Sequence, residues 1–212
     1  MTQPEQAPRQ DWHEWYRAYD DPQSPNSQRL AVVREHIRLA VEAAPPGPVR
    51  VVSLCAGDGR DIVGALADHP RRHDVRGRLV EMDPALARRG AATAWPGLEY
   101  LVGDAALTDN YSGAVPADLV LACGVFGNIT DADVAATVRA MPGFLAAGGT
   151  VIWTRHRQAP DLVPAIDAWF TAAGCARVFL SGPEHAYGVG VHRLTAAPQP
   201  FPCGERLFTF IR

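Results

Sequence analysis

Apolar residues in this chain fall into two rhythms, short runs with period two and longer stretches with period three to four, and the two alternate along most of its length. The first helical stripe is aromatic: Trp12, Trp15, Tyr16 and Tyr19 stand at i, i+3, i+4 and i+7, one face of a short helix. The turn Asp20–Ser27 is rich in capping residues, and Asn26 or Ser27 is the expected cap of a second helix with its stripe at Leu30, Val33, Ile37 and Val41. Ala43-Ala-Pro-Pro-Gly-Pro ends it. From there the order reads strand, helix, strand, helix, strand, a loop through Asp109 to Pro116, strand, helix, strand. That order requires right-handed crossovers and a mostly parallel sheet. After Thr154 comes one more helix, with Leu162, Ile166, Trp169 and Phe170 inward and Gly174 at its end. Three strand-like runs follow, at 177–180, 187–194 and 207–211. Two of them can close the sheet as an antiparallel pair, and the pattern leaves open which two.

These elements predict an α/β chain with a doubly wound, mostly parallel, seven-stranded sheet and N-terminal helices. Residues 1–10, rich in Gln and Pro, read as a disordered tail, 11–44 as a helical lid and 45–212 as the main body of a single domain. The Pro-rich piece Ala197–Pro202 reads as a linker between the last strands.

Composition narrows the picture modestly. With 212 residues, 47% of them hydrophobic, the chain is long enough for one sizeable core. A net charge of −3 gives no electrostatic reason to expect nucleic acid, and the basic group Arg71-Arg72-His73, Arg76 and Arg78 reads as a solvated loop. Cys55, Cys123, Cys175 and Cys203 form no CxxC pair and match no histidine spacing, so neither a metal site nor a disulfide framework is indicated. No charged-then-apolar leader opens the sequence and no run of eighteen apolar residues occurs. A cytoplasmic location away from the membrane is the expectation.

The chemistry concentrates where the first strand meets a turn, Val51-Val-Ser-Leu-Cys-Ala-Gly-Asp-Gly-Arg-Asp61. Gly57 and Gly59 allow a tight bend and close approach to a ligand, although a strand followed by Gly-x-Gly also serves as a plain turn. About twenty residues on, Arg78-Leu-Val-Glu81 reads as a second strand ending in an acid, placed to accept two hydrogen bonds from a ribose diol. Asp83, just before Pro84, reads as a helix cap. A third strand runs into Gly103-Asp104-Ala105, where a side-chain oxygen is placed to accept from the exocyclic amine of adenine.

This ordered series, from about Val49 to Thr154, resembles the class I S-adenosylmethionine-dependent methyltransferases. Ala117-Asp-Leu-Val-Leu-Ala-Cys-Gly-Val-Phe-Gly-Asn is similar to the family's fourth strand and following loop, and Pro142-Gly-Phe-Leu-Ala-Ala-Gly-Gly-Thr-Val-Ile-Trp-Thr to the turn into its fifth. The resemblance implies S-adenosylmethionine as cofactor, held by Cys55, Ala56, Gly57, Asp58, Gly59, Glu81, Met82, Asp104, Ala105 and Cys123. Two positions depart from the family pattern. Ser53 stands where an acid is usual and Cys55 where the first glycine is usual, so another residue has to supply the contact to the methionine amino group. The reaction implied is methyl transfer to an O, N or C atom of a small-molecule acceptor, carried mainly by positioning. Trp12, Tyr16, Phe126, Arg155 and Tyr187 are the candidate acceptor pocket. His156, after the fifth strand, is the candidate base, with Arg155 and Arg157 beside it. Two other readings stand beside this one: a noncatalytic binding or partner subunit of the same fold, and an NAD(P)-dependent oxidoreductase, whose usual Gly-x-Gly-x-x-Gly is interrupted here by Ile62.

Overall fold

The computed structural model describes Tyr19 and residues 21–211. The aromatic positions Trp12, Trp15 and Tyr16 therefore lie outside the described residues, as do the segment 1–10 read as a tail and residues 11–18 and 20 of the segment read as a lid. Helix α1 (Pro25–Ala43) comes first, then β1 (Val49–Leu54), a short α2 (Ile62–Ala65), β2 (Val75–Glu81), α3 (Pro84–Thr93), β3 (Leu98–Val102) and β4 (Ala117–Ala122). The remainder is α4 (Asp131–Phe144), β5 (Leu145–His156), α5 (Val163–Ala172), β6 (Cys175–Leu180) and β7 (Tyr187–Leu194). The strands form one seven-stranded sheet in the order β3-β2-β1-β4-β5-β7-β6. β1 is parallel to β2 and β4, as are β2 to β3 and β4 to β5, whereas β7 is antiparallel to both β5 and β6.

Alternation along the central strands sends side chains into two separate cores. From β1, Val52 and Leu54 join one face and Val49 and Val51 the other; from β5, Val151 and Trp153 part from Ile152 in the same way. The first core is covered by α4, through Val134, Val138 and Met141, and by α5, through Val163, Ile166 and Phe170. The second is covered by α1 through Val33, Ile37 and Val41, with Ile62 and Ala65 of α2 beside it. Strands buried on both sides read as nearly continuous apolar runs, which is the pattern of β1 and β4. The doubly wound expectation holds.

Local chemistry sets the element ends, and in three places it differs from the sequence reading. α1 is capped by Ser24, whose hydroxyl accepts from Ser27 N at 3.1 Å with Pro25 in the first turn, rather than by Asn26 or Ser27. Arg71 is not a solvated loop residue: its guanidinium donates to the carbonyls of Val41, Ala44, Pro45 and Gly47, closing the end of α1 where carbonyls lack helical partners. α4 continues through Pro142 and Gly143 to Phe144 instead of turning there.

The run at 207–211 is not a sheet strand. β7 and β6 complete the sheet, and residues 205–211 cross the loops after β3 and β4, meeting them at isolated Leu107–Arg206 and Ile129–Phe210 bridges. Leu207 N donates to Ala106 O at 2.8 Å, Ile211 N to Asn128 O at 2.9 Å and Thr209 N to Asp133 Oδ2 at 3.2 Å. Among the described residues no helix is long and apolar enough to cross a membrane, and no cluster of three metal-ligating side chains occurs.

Candidate functional site

β1 runs out into a turn with three left-handed backbone positions, Cys55 at φ 56°, Gly57 at 57° and Gly59 at 67°. Glycine adopts this region freely, whereas a side chain there costs about 1–3 kcal/mol and persists only where the surroundings enforce it. Here they do. Ala56 N donates to Val80 O at 2.9 Å and Gly59 N to Ala56 O at 2.8 Å, tying the turn to β2 and to itself. At Gly59 a Cβ would also fall 2.0 Å from Tyr100 Oη. Burial pushes the Cys55 thiol up, and the nearby Glu81 and Asp104 carboxylates push it further, so this sulfur stays protonated.

Glu81 stands at the tip of β2 and bridges the turn to the start of α3. Its Oε2 accepts from Gly57 N at 2.7 Å and its Oε1 from Asp83 N at 2.9 Å. Each carboxylate oxygen has two acceptor sites, so both retain capacity for another donor. Asp83 in turn caps α3, accepting from Ala85 N at 2.7 Å, as its place before Pro84 predicts.

Beside this turn opens a cavity of about 430 Å³. One set of walls comes from the turn and the residues just after it (Cys55, Ala56, Arg60, Asp61), the β2 tip (Glu81, Met82, Asp83), the start of α3 (Leu86) and the loop after β3 (Ala105). The others are Tyr19, Arg29, Leu30 and Val33 from the N-terminal side, Cys123, Gly124 and Thr154 from the ends of β4 and β5, and Phe210 from the terminal segment. Arg29 donates to Tyr19 Oη at 3.1 Å, and the Arg60 guanidinium lies 4.5 Å over the Tyr19 ring. Asp61 is buried and its pKa is raised to about 6, first by that burial, with the charge of Asp58 adding to it; its hydrogen bond to Ile62 N and the charge of Arg34 act against the rise.

Of the residues expected to hold the cofactor, Cys55, Ala56, Glu81, Met82, Ala105 and Cys123 line this cavity, and Gly57 and Gly59 shape the turn beneath it. Asp58 faces away. Burial pushes its carboxyl up, but Arg60, bonded at 2.9 and 2.7 Å, outweighs that and holds it below the usual range. Asp104 is also outside the lining: its Oδ1 accepts from Ala106 N at 2.9 Å and its Oδ2 pairs with Arg206 at 2.8 Å.

The expected acceptor residues are scattered. Phe126 is fully buried against Trp153, and Tyr187 is a buried strand residue stacked on His185. The Arg155 guanidinium donates to Phe126 O and pairs with Asp131. Trp12 and Tyr16 lie outside the described residues. His156 does not line the cavity; its Nδ1 accepts from Gln158 N at 3.3 Å. The sequence reading missed Arg29, Asp61, Thr154 and Phe210. Asp61 was visible as the last residue of the glycine segment, whereas Phe210 sat in a run that reads as a strand.

No protein-family model matches this chain, and no curated protein matches it in sequence. Solved structures do match in shape. Magnesium protoporphyrin IX methyltransferase from Synechocystis PCC 6803, with S-adenosylmethionine bound, superposes with a TM-score of 0.64 at 10% identity, over 87% of this chain and 91% of that one. The N-methyltransferase NodS from Bradyrhizobium japonicum WM9, in complex with S-adenosylhomocysteine, gives 0.61 at 14% identity, over 87% and 98%. An O-methyltransferase family protein from Burkholderia thailandensis gives 0.59 at 15%, over 86% of this chain and 63% of that one, so this chain spans less than two thirds of its length. By strand order, by helix placement and by these likenesses, the chain has the fold of the class I S-adenosylmethionine-dependent methyltransferases.

Proposed function

We propose that the chain binds S-adenosylmethionine in the cavity beside the Cys55–Gly59 turn and transfers its methyl group to a small-molecule acceptor. The observation that carries this reading is Glu81, whose two oxygens hold the turn and the α3 start while bordering the cavity. A carboxylate at the tip of the second strand suits a ribose diol. The left-handed turn fits the same ligand, since it brings backbone rather than side chains to the cavity floor. Met82 and Ala105 supply apolar surface for a flat ring.

When bound, S-adenosylmethionine supplies an electrophilic methyl on a sulfonium. The chain's own contribution is placement, which is worth on the order of 7–11 kcal/mol in favourable cases. Leu30, Val33, Leu86, Tyr19 and Phe210 give the cavity an apolar and aromatic lining that excludes water and suits a compact, partly apolar acceptor. His156, the base expected from the sequence, stands outside that lining, so this reading assigns proton removal to no fixed histidine.

The test is calorimetric titration of the purified chain with S-adenosylhomocysteine and, in parallel, with NADH. Binding of the first alone is the expected result. Binding of NADH alone would transfer the site to the oxidoreductase reading, and binding of neither would leave a partner subunit of the same fold.

A further inference from the structure

Beyond β7 the chain returns as a strap over the loops after β3 and β4, and every second amide of 205–211 is spent on holding it there. Glu205 N donates to Thr108 Oγ1 at 2.9 Å, Leu207 N to Ala106 O, Thr209 N to Asp133 Oδ2 and Ile211 N to Asn128 O. Phe210 is the residue of this strap that lines the cavity. Its ring meets Phe208 edge-on, with centroids 5.3 Å apart at 76°, and Phe208 is part of the first core. The ring is therefore anchored from behind while it borders open space.

Position separates this wall from the one assigned to the ribose. Glu81 is at the tip of β2, whereas Phe210 bridges Ile129 in the loop after β4, on the side of the cavity that Cys123, Gly124 and Thr154 supply from the ends of β4 and β5. In the order β2-β1-β4-β5 the outer two strands stand three steps apart, about 14 Å at the usual inter-strand spacing. The β4–β5 end is floored by small, uncharged groups. A Cβ at Gly124 would meet no atom within 4 Å, so space lies open over it. Thr154 Oγ1 accepts from Gly124 N at 2.9 Å, and Asn128, whose carbonyl takes the Ile211 amide, donates from Nδ2 to Gly124 O at 2.7 Å. Burial, with the Asp61 charge adding to it and the Arg29 charge opposing it, pushes the Cys123 thiol up and keeps it protonated.

We infer that Phe210 determines specificity for the acceptor, and that the acceptor is a planar aromatic molecule lying against this ring over Gly124. This rests on the proposed S-adenosylmethionine site. A flat, neutral floor beside a fixed ring suits another ring, since aromatic pairs gain from offset or edge-to-face contact beyond the area they bury. Tyr19 adds a second aromatic side chain to the same cavity.

The test uses two probes of one skeleton, 1-naphthol and its saturated counterpart decahydro-1-naphthol, titrated by saturation-transfer NMR into the chain saturated with S-adenosylhomocysteine. Naphthol is expected to bind, and the saturated probe to bind about twofold to tenfold more weakly, the range of one aromatic pair. Phe210→Leu keeps the apolar bulk and removes the ring. It should weaken naphthol by the same factor and leave S-adenosylhomocysteine within about twofold, the usual range for a site away from that ligand. Failure of naphthol to bind, equal binding of the two probes, or naphthol binding unchanged by Phe210→Leu would overturn the inference while the cofactor site stands. Equal loss of naphthol and S-adenosylhomocysteine in that variant would assign the ring to the cofactor and overturn it as well. The comparison of the two probes needs no variant, so it decides even if the substitution displaces the strap. If the unsubstituted chain binds no S-adenosylhomocysteine, the methyltransferase reading falls and this inference with it.

Discussion

Two ends of the same sheet carry the chain's polar residues, and they use them in opposite ways. At the β1–β2 end, Glu81 and Asp61 each accept from the local backbone and both line a cavity. At the β5–β7 end a comparable set is spent on the fold. Arg157 donates to Ser181 O at 2.8 Å and pairs with Asp161 at 2.7 Å. His192, wholly buried and stacked 4.7 Å from Phe170, receives the Trp153 indole N–H on Nδ1 at 3.1 Å, so its Nε2–H donates to Asp167 at 3.0 Å. Burial lowers the pKa of that imidazole even though Asp167 pulls the other way, which suits a neutral bridging ring. Residue type alone does not separate the two ends; whether a group lines the cavity or is spent within the fold does.

The comparison can be broken by substitutions on either side. Gly57→Val should do most, since it forces a β-branched residue into φ 57° at the amide that Glu81 holds; titration should show S-adenosylhomocysteine binding abolished, and retained binding would make the turn merely structural. Glu81→Ala should weaken that ligand by one to two orders of magnitude, equivalent to roughly 1.5–3 kcal/mol, and unchanged affinity in the calorimeter would reject its ribose role. At the other end Asp167→Ala should leave binding alone but orphan the buried His192 N–H, at a cost of about 1–3 kcal/mol. Thermal melting should then fall by about 2–4 °C per kcal/mol in a chain of this size.

Asp61→Asn should act in the opposite direction on the ligand-free protein. Its folded pKa of about 6 lies above the unfolded carboxylate value of 3.8, so the folded state pays a penalty for ionisation as pH rises through that interval. Asn removes the penalty, and melting at pH 7–8 should rise relative to the unsubstituted chain, with the gain disappearing below about pH 4. The smallest effect belongs to His156→Ala, for which S-adenosylhomocysteine affinity should stay within about twofold, the usual range for a site away from the ligand; a larger loss would bring the β5 end back into the site.

The sheet was legible because its strands are buried on both faces and because Gly57, Glu81 and Asp83 mark strand and helix ends by chemistry that needs only neighbours in sequence. Asp61 escaped notice for a related reason. A cap residue two positions past Gly59 looks ordinary until the fold places it in the wall of a cavity. Phe126 and Tyr187, read as pocket candidates, are buried in the structure, where an aromatic side chain near a strand end serves a core as readily as a pocket. The pairing of Asp104 with Arg206 could not be read from the sequence, because the two are 102 residues apart and Arg206 borders a segment whose alternation imitates a strand.

That segment has a consequence for the order in which the molecule becomes complete. Every strand of the sheet is complete by Leu194, so translation can deliver the entire scaffold before residues 205–211 exist. Phe210 and the Arg206 bridge to Asp104 are then laid across the finished loops as a last step. The part of the cavity wall that Phe210 supplies is thus a late appendage, held by side chains and loop backbone and by no strand of the sheet. Its sequence is free to drift, and with it the shape presented to an acceptor, without rewriting the register of the seven strands beneath.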